Sequence, residues 1–231
     1  ERPPLFAVAD GMGGARAGEV ASRTAIEVLA AGGHPGSPRP ALVEAAQAAN
    51  RKIQALALDD PSRAGMGTTL TAALLAADKL TVVHVGDSRL YRLRNGVLER
   101  LTRDHSLVAE LMRRGELTAD EARNHPARSM LLRALGPESR VAVDSCTLSV
   151  QDGDLYLLCS DGLTTMIAEA EIARILLESD SLELAARRLI DAANERGGRD
   201  NVTVVLFRLG ECEEPAPTVP EGLATISSPT P

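Results

Sequence analysis

The apolar positions change their period several times along the chain, and each change predicts an element. Residues 5–9 are an uninterrupted apolar run, which predicts a short buried strand delivering Asp10 into the turn Gly11-Met12-Gly13-Gly14. Over 17–31 the period is helical, because Val20, Thr24 and Val28 fall four apart, as do Ala21, Ala25 and Leu29. Gly32-Gly33 ends that helix, and 35–40, with its prolines, is expected to be a loop. A second helix follows, with Leu42, Ala46, Ala49, Ile53 and Leu56 on one face, until 61–65 breaks it. Strand formers then take over. Residues 68–75 and 80–85 read as strands, Gly86-Asp87-Ser88 as a turn, and 89–94 as a third strand leading into an Asn95-Gly96 hairpin. Three strands joined by short turns predict antiparallel sheet and set aside a doubly wound nucleotide-binding fold.

Residues 102–136 are charged, contain Pro126, and read as an insertion with short helices over 106–114 and 118–123. Strands are expected at 141–148 and 154–159, and helices at 169–177 and 182–195. The last has Leu182, Ala186, Leu189 and Ala193 on one face. A final strand over 202–209 closes a domain of residues 1–210. Residues 211–231, with five prolines and no apolar period, read as a linker or disordered tail. There is no internal repeat.

Composition narrows the partners. A net charge of −7 and only 2% aromatic residues, with no Trp, oppose a nucleic-acid ligand, which needs cationic contacts and stacking platforms. Cys146, Cys159 and Cys212 are widely spaced without a C-x-x-C pair, so neither a disulfide framework nor a zinc site is indicated, and a reducing cytoplasmic setting fits. Cys146 and Cys159 read as small core residues. No signal peptide or membrane segment stands out. The chain opens on Glu1, without Met, and enters a strand almost at once, so it reads as a piece whose natural start has been removed.

The candidate chemistry lies in acids at strand ends. Asp10 follows the first strand, Asp161 follows 155–160 in the same apolar-then-Asp-Gly design, and Asp200 precedes the last strand. Any one of them alone is an ordinary turn carboxylate capping backbone amides. As a set on one rim they repel, by roughly 4 kcal/mol per pair at 4 Å and an effective dielectric of 20. Three together call for a cation, and oxygen ligands without His or Cys select Mg²⁺ or Mn²⁺. Asp87 is a fourth acid, at another strand-to-strand turn. His84, inside an apolar strand, reads as structural, and His105 and His125 as surface groups on a polar segment. Arg89 is expected to pair with a neighbouring acid, and Thr68 and Thr69 to lie in a strand under the site.

Seven strings in order carry a resemblance: Val8-Ala9-Asp10-Gly11-Met12-Gly13-Gly14, Gly18-Glu19-Val20-Ala21-Ser22, Gly67-Thr68-Thr69, Val85-Gly86-Asp87-Ser88-Arg89, Leu101-Thr102-Arg103-Asp104-His105-Ser106, Cys159-Ser160-Asp161-Gly162-Leu163 and Gly198-Arg199-Asp200-Asn201. Across residues 5–208 the chain resembles the bacterial metal-dependent serine/threonine protein phosphatases of type 2C. The resemblance implies an α+β fold, a four-layer α-β-β-α sandwich of two antiparallel sheets, here lacking the family's N-terminal strand or strands. It also implies a centre of two Mn²⁺ or Mg²⁺ ions, with Asp10 bridging them, the Gly11 carbonyl on one, and Asp161 and Asp200 on the other. Asp87, with Asp161, matches a weaker third ion site. Asp10, Asp161 and Asp200 thereby become the catalytic residues, and the segment at about 104–136 a flap beside them. The implied reaction is hydrolysis of phosphoserine and phosphothreonine on proteins, opposing a bacterial kinase, by a monomeric domain.

Two departures from the family pattern stand out. The opening Arg and the acidic motif that follows it have no counterpart before Leu5, and Met12 stands where animal members carry a histidine. The missing motif supports a rival reading, a pseudophosphatase that binds phosphoproteins or a partner without turnover. A further option is a phosphatase domain regulating a larger protein.

Overall fold

A computed structural model describes residues 3–32 and 37–210. In chain order the first half contains β1 (Leu5–Val8), β2 (Gly11–Met12), α1 (Ala15–Ala31), α2 (Pro38–Asp59), a 3-10 turn at Pro61–Arg63, β3 (Gly67–Thr68), β4 (Leu70–Ala76), β5 (Lys79–Val85), β6 (Arg89–Arg94) and β7 (Val97–Arg100). The second half contains α3 (Leu107–Arg113), α4 (Ala119–Arg123), β8 (Asp144–Ser149), β9 (Leu155–Cys159), α5 (Asp161–Thr164), α6 (Glu169–Leu177), α7 (Leu182–Glu195) and β10 (Val204–Arg208).

The strands form two four-stranded antiparallel sheets, ordered β1-β4-β5-β8 and β10-β9-β6-β7, and β2 pairs with β3 in a small third ladder. Side chains alternate across a strand, so each central strand feeds two apolar layers. From β4, Leu70, Ala72 and Leu74 face the helices, packing with Ala21, Ala25 and Leu29 of α1 and Leu42, Ala46, Ala49 and Ile53 of α2. Ala73 points the other way, into a layer shared with Val8, Leu80 and Val82 on its own side and Leu90, Tyr156, Leu158 and Phe207 from the second sheet. The outer face of that second sheet carries Tyr91, Leu157 and Cys159 against Leu163, Ile172, Ile175, Leu176, Ala185, Leu189 and Ala193 of α5 to α7. Three apolar layers between four layers of structure make the α-β-β-α sandwich. Three of the four aromatics, Phe6, Tyr156 and Phe207, gather between the sheets, where Phe6 and Phe207 stack at 3.8 Å between ring centroids. Small alanines elsewhere let helices and sheets approach closely.

Several sequence-based expectations change. The 35–40 loop is shorter than expected, because α2 begins at Pro38 behind Ser37. Proline fits there, since first-turn N–H groups have no intrahelical acceptor to lose. Residues 68–75 split at Thr69 into β3 and β4, and α5 opens at Asp161, where only a turn was read. The 141–148 strand starts at Asp144, and Ala185 rather than Ala186 is the buried residue of α7. The largest change concerns the three-strand meander. β4 and β5 pair, but β5 and β6 belong to different sheets, so Gly86-Asp87-Ser88 crosses from one sheet to the other.

The insertion holds α3 and α4, capped by Ser106 and by a Thr118–Glu121 capping box. Its two ends are held together by a bridge between Ser106 and Leu131. Its exit is tied to the sandwich through a Thr68–Leu135 bridge and through Asn50, whose Oδ1 accepts from the Gly136 amide at 2.7 Å. The expected tail at 211–231 and Cys212 lie outside the described residues. Among the described residues, no helix is long and apolar enough to cross a membrane.

Candidate metal centre

Asp10 leaves β1 at the end of the first sheet, and its backbone is held on both sides. Its N–H donates to Thr69 Oγ1 at 2.9 Å, while its carbonyl accepts from the Thr69 amide at 2.8 Å and from Thr68 Oγ1 at 2.9 Å. Thr69 Oγ1 also meets Ser88 Oγ at 2.8 Å, and Thr71 Oγ1 donates to the Ser88 carbonyl at 2.9 Å. Thr68 and Thr69, expected in a strand but divided by the break between β3 and β4, therefore join Thr71 in fastening Asp10 and the sheet-crossing turn to that segment.

Asp161 opens α5 directly after β9, and Asp200 lies in the loop before β10, which pairs antiparallel with β9. This brings a strand end beside a strand approach, as anticipated, although Asp200 sits four residues ahead of the strand rather than at its start. Ser160 locks the two segments together: its Oγ donates to the Asn201 carbonyl at 3.1 Å and accepts from the Thr203 amide at 3.0 Å. Gly162 rests so closely on this loop that a Cβ there would fall 2.3 Å from the Asn201 carbonyl oxygen.

The carboxylates from the two sheets meet. Burial is the first cause that raises Asp10 to about 7, followed by the charges of Asp161 and Asp200 and a hydrogen bond to Asp161. Asp161 is also raised, by burial and then by Asp200, and is eased by the Asp10 bond and by Arg89. Asp87 is pushed to about 7 by burial, then by Asp161, Asp104 and Asp10. Asp10 and Asp161 each lie within electrostatic reach of both Asp87 and Asp200. Among the described residues, however, no three acidic, His or Cys side chains are already gathered into a cage for an ion. Carboxylates held this near one another repel unless a cation or a proton lies between them. The donor set is oxygen throughout and carries excess negative charge, so it fits a hard divalent cation.

Arg89 is the nearby cation. Its Nε and Nη2 grip Asp104 at 3.0 and 2.6 Å, and its Nη1 donates to Tyr91 Oη at 3.1 Å, which in turn donates to Glu169 at 3.0 Å. Burial works against its charge, and the Asp104 bond keeps it protonated. The expectation of an acidic partner holds. With side-chain exposures of 20% and 10%, loss of Arg89 leaves the buried Asp104 only a longer contact, to Arg100 at 3.7 Å. Arg89→Leu is expected to cost about 3–5 kcal/mol of stability, read from urea unfolding.

The histidines divide. His84 is structural as expected: it is buried, held by Thr71 Oγ1 and the Arg103 carbonyl at 2.9 Å each, and burial lowers it to about 4. His105 is not the surface group expected. It is buried against His84, with ring centroids 4.7 Å apart. His125 is half-buried and accepts from the Ala127 amide at 3.1 Å. Two clefts open nearby, and the first reaches Asp200. One of about 540 Å³ is lined by Asn194, Arg199 and Asp200 among others, and one of about 460 Å³ runs from Met12 to Leu132, Arg133 and Arg140.

The sequence profile of the protein phosphatase 2C family matches residues 1–201. The chain belongs to this family. It is 44% identical over 216 residues to the serine/threonine phosphatase stp of Listeria innocua, covering 89% of this chain and 84% of that protein. It is 45% identical over 209 residues to the serine/threonine protein phosphatase PstP of Mycobacterium tuberculosis, covering 87% of this chain but 40% of that longer protein. The crystal structure of the M. tuberculosis phosphatase superposes with a TM-score of 0.84 at 42% identity, covering 89% of this chain and 88% of that one. The PstP catalytic domain in complex with two manganese ions gives a TM-score of 0.79 at 41% identity, covering 87% and 86%. The family and the fold class implied by the seven strings are therefore those of the molecule, an enzyme of the protein phosphatase class.

Proposed function

We propose that this phosphatase domain hydrolyses phosphoserine and phosphothreonine esters on proteins at a binuclear Mn²⁺ or Mg²⁺ centre, reversing the work of a bacterial serine/threonine kinase. The observation that carries the reading is the approach of Asp10 from one sheet to Asp161 from the other, with Asp200 near enough to press its charge on both. Asp10 and the Gly11 carbonyl would hold one ion, Asp10, Asp161 and Asp200 the other, and Asp87 with Asp161 a weaker third. Bound there, divalent cations supply an activated water and offset charge on the phosphoryl oxygens.

The chain's own residues supply position. Thr68 and Thr69 fix the Asp10 backbone, so its carboxylate needs little reorganisation on binding. Arg89 stands near Asp161 and moderates the repulsion within the cluster without discharging it. The cleft that begins at Met12, two residues after Asp10, is lined by Arg133 and Arg140, cationic groups suited to the chain beside the phosphoresidue. Met12 has no proton to give, so water must protonate the departing serine or threonine oxygen.

The test is release of phosphate from a phosphothreonine peptide by the full chain with Mn²⁺. Asp161→Asn is expected to reduce the rate by about two orders of magnitude or more. An equally active Asp161→Asn protein would end this reading. A binding module without turnover would hold the peptide and release no phosphate, with or without the substitution.

A further inference from the structure

The flap is fastened to the Asp87 turn at one residue, and nothing in the proposed mechanism uses that residue. His105 bonds Gly86 twice: its backbone N–H donates to the Gly86 carbonyl at 2.8 Å, and its Nδ1 accepts from the Gly86 amide at 3.1 Å. An amide can only donate, so the ring proton lies on Nε2, which faces Asp144 Oδ2 at 3.1 Å. Asp144 in turn accepts from Arg133 Nη1 at 2.9 Å, and the His105 carbonyl accepts from the Leu132 amide at 2.8 Å. The two strands of the flap neck therefore converge on His105, and His105 on Gly86.

Gly86 itself has no room to drift. Its φ is +107°, and a Cβ there would lie 2.6 Å from Thr69 Cβ and Cγ2. Thr69 closes one side of the turn and the His105 ring the other. The next residue is Asp87, at the crossing between the two sheets, whose buried carboxylate feels the charges of Asp161 and Asp10. We infer that His105 is a positioning residue that, through the Gly86 amide, sets the Asp87 carboxylate for the weakest of the cation sites and couples that site to the flap neck. The inference rests on the third-site assignment given under Proposed function.

Two isosteric substitutions separate the contacts of the ring. Asn Oδ1 stands where Nδ1 does and keeps an acceptor for Gly86, whereas Gln Nε2 stands where the ring Nε2 does and keeps only the Asp144 side. Mn²⁺ is titrated calorimetrically into metal-stripped full-length parent, His105→Asn, His105→Gln and Asp87→Asn proteins, and hydrogen exchange is followed at the Gly86 amide. In His105→Gln the weakest Mn²⁺ site is expected to lose about tenfold in affinity, the scale of a lost supporting contact, with the tighter sites unchanged. Gly86 exchange should accelerate in the same variant. His105→Asn should restore both towards the parent.

Equal isotherms and equal Gly86 exchange for the Asn and Gln variants overturn the inference, as does a loss at every site in step with the melting temperature. If His105→Gln does not fold, His105→Asn decides alone, because loss of its weakest site overturns the proposal and retention supports it. If Asp87→Asn leaves the isotherm intact, the third-site reading falls and takes this inference with it. If Asp87→Asn acts and His105→Gln does not, the inference alone is wrong.

Discussion

Asp10→Asn is expected to slow phosphothreonine-peptide hydrolysis by about 10²–10³-fold while making the metal-free protein more stable. The opposite signs follow from one fact, the gathering of like charges. In the folded chain Asp10 titrates at about 7 instead of its usual 3.8, so between those values the folded state keeps a proton that the unfolded chain releases. A carboxylate raised in this way costs the fold stability as pH rises through that window. Below about 4 the Asn variant and the parent should differ little on this account. From there to about 7 the gap in melting temperature should widen in favour of Asn, and then level off. His84, held near 4 by burial, acts in the reverse direction over part of this range, but it is present in both proteins and drops out of the difference. Calorimetric melting in chelator from pH 4.5 to 7.5 measures the gap. Saturating Mn²⁺ should then reverse the order, since a ligand at 100 times its dissociation constant adds about 2.7 kcal/mol to whichever protein binds it. A gap that stays flat with pH, or an Asn variant that gains as much from Mn²⁺ as the parent, would contradict the assignment of Asp10.

Gly11→Ala is expected to damage both fold and site. A Cβ at residue 11 would stand 2.1 Å from the Gly18 carbonyl oxygen and 2.3 Å from its carbon. These are backbone atoms of α1, so no side chain can swing aside. Relief requires β2 to part from the helix, dragging the Asp10 carboxylate and the Gly11 carbonyl with it. Overpacking of this kind costs about 1–3 kcal/mol or more, which lowers the melting temperature of a domain this size by roughly 3–10 °C. Activity should fall with it. Gly115→Ala in the flap is the contrast, because no atom lies within 4 Å of its Cβ and only its φ of +74° resists the change, at about 1 kcal/mol. An intact melting temperature for Gly11→Ala would show that this close approach is not needed.

Much of this was legible in one dimension. The expected helices at 169–177 and 182–195 are α6 and α7 with those same bounds, and the α2 face follows from the alternating four- and three-residue spacing. The four acids were recognisable because each sits where an apolar run stops or starts, with glycine one or two positions away. His105 was misjudged because its neighbours in sequence are polar, whereas its neighbours in space are His84, Gly86 and Asp144. The β5–β6 connection was misjudged because a three-residue turn between two strands looks the same whether the chain folds back or crosses over.

By itself the sequence determined which segments bury, which extend and which acids are available, since those properties depend on side-chain type and spacing over a few residues. Tertiary structure alone decided that Gly86-Asp87-Ser88 spans two sheets and that Asp10 touches Asp161 from the opposite side. Such contacts join residues some 150 positions apart, set by how two twisted sheets stack over a shared apolar layer, and no local pattern encodes that stacking.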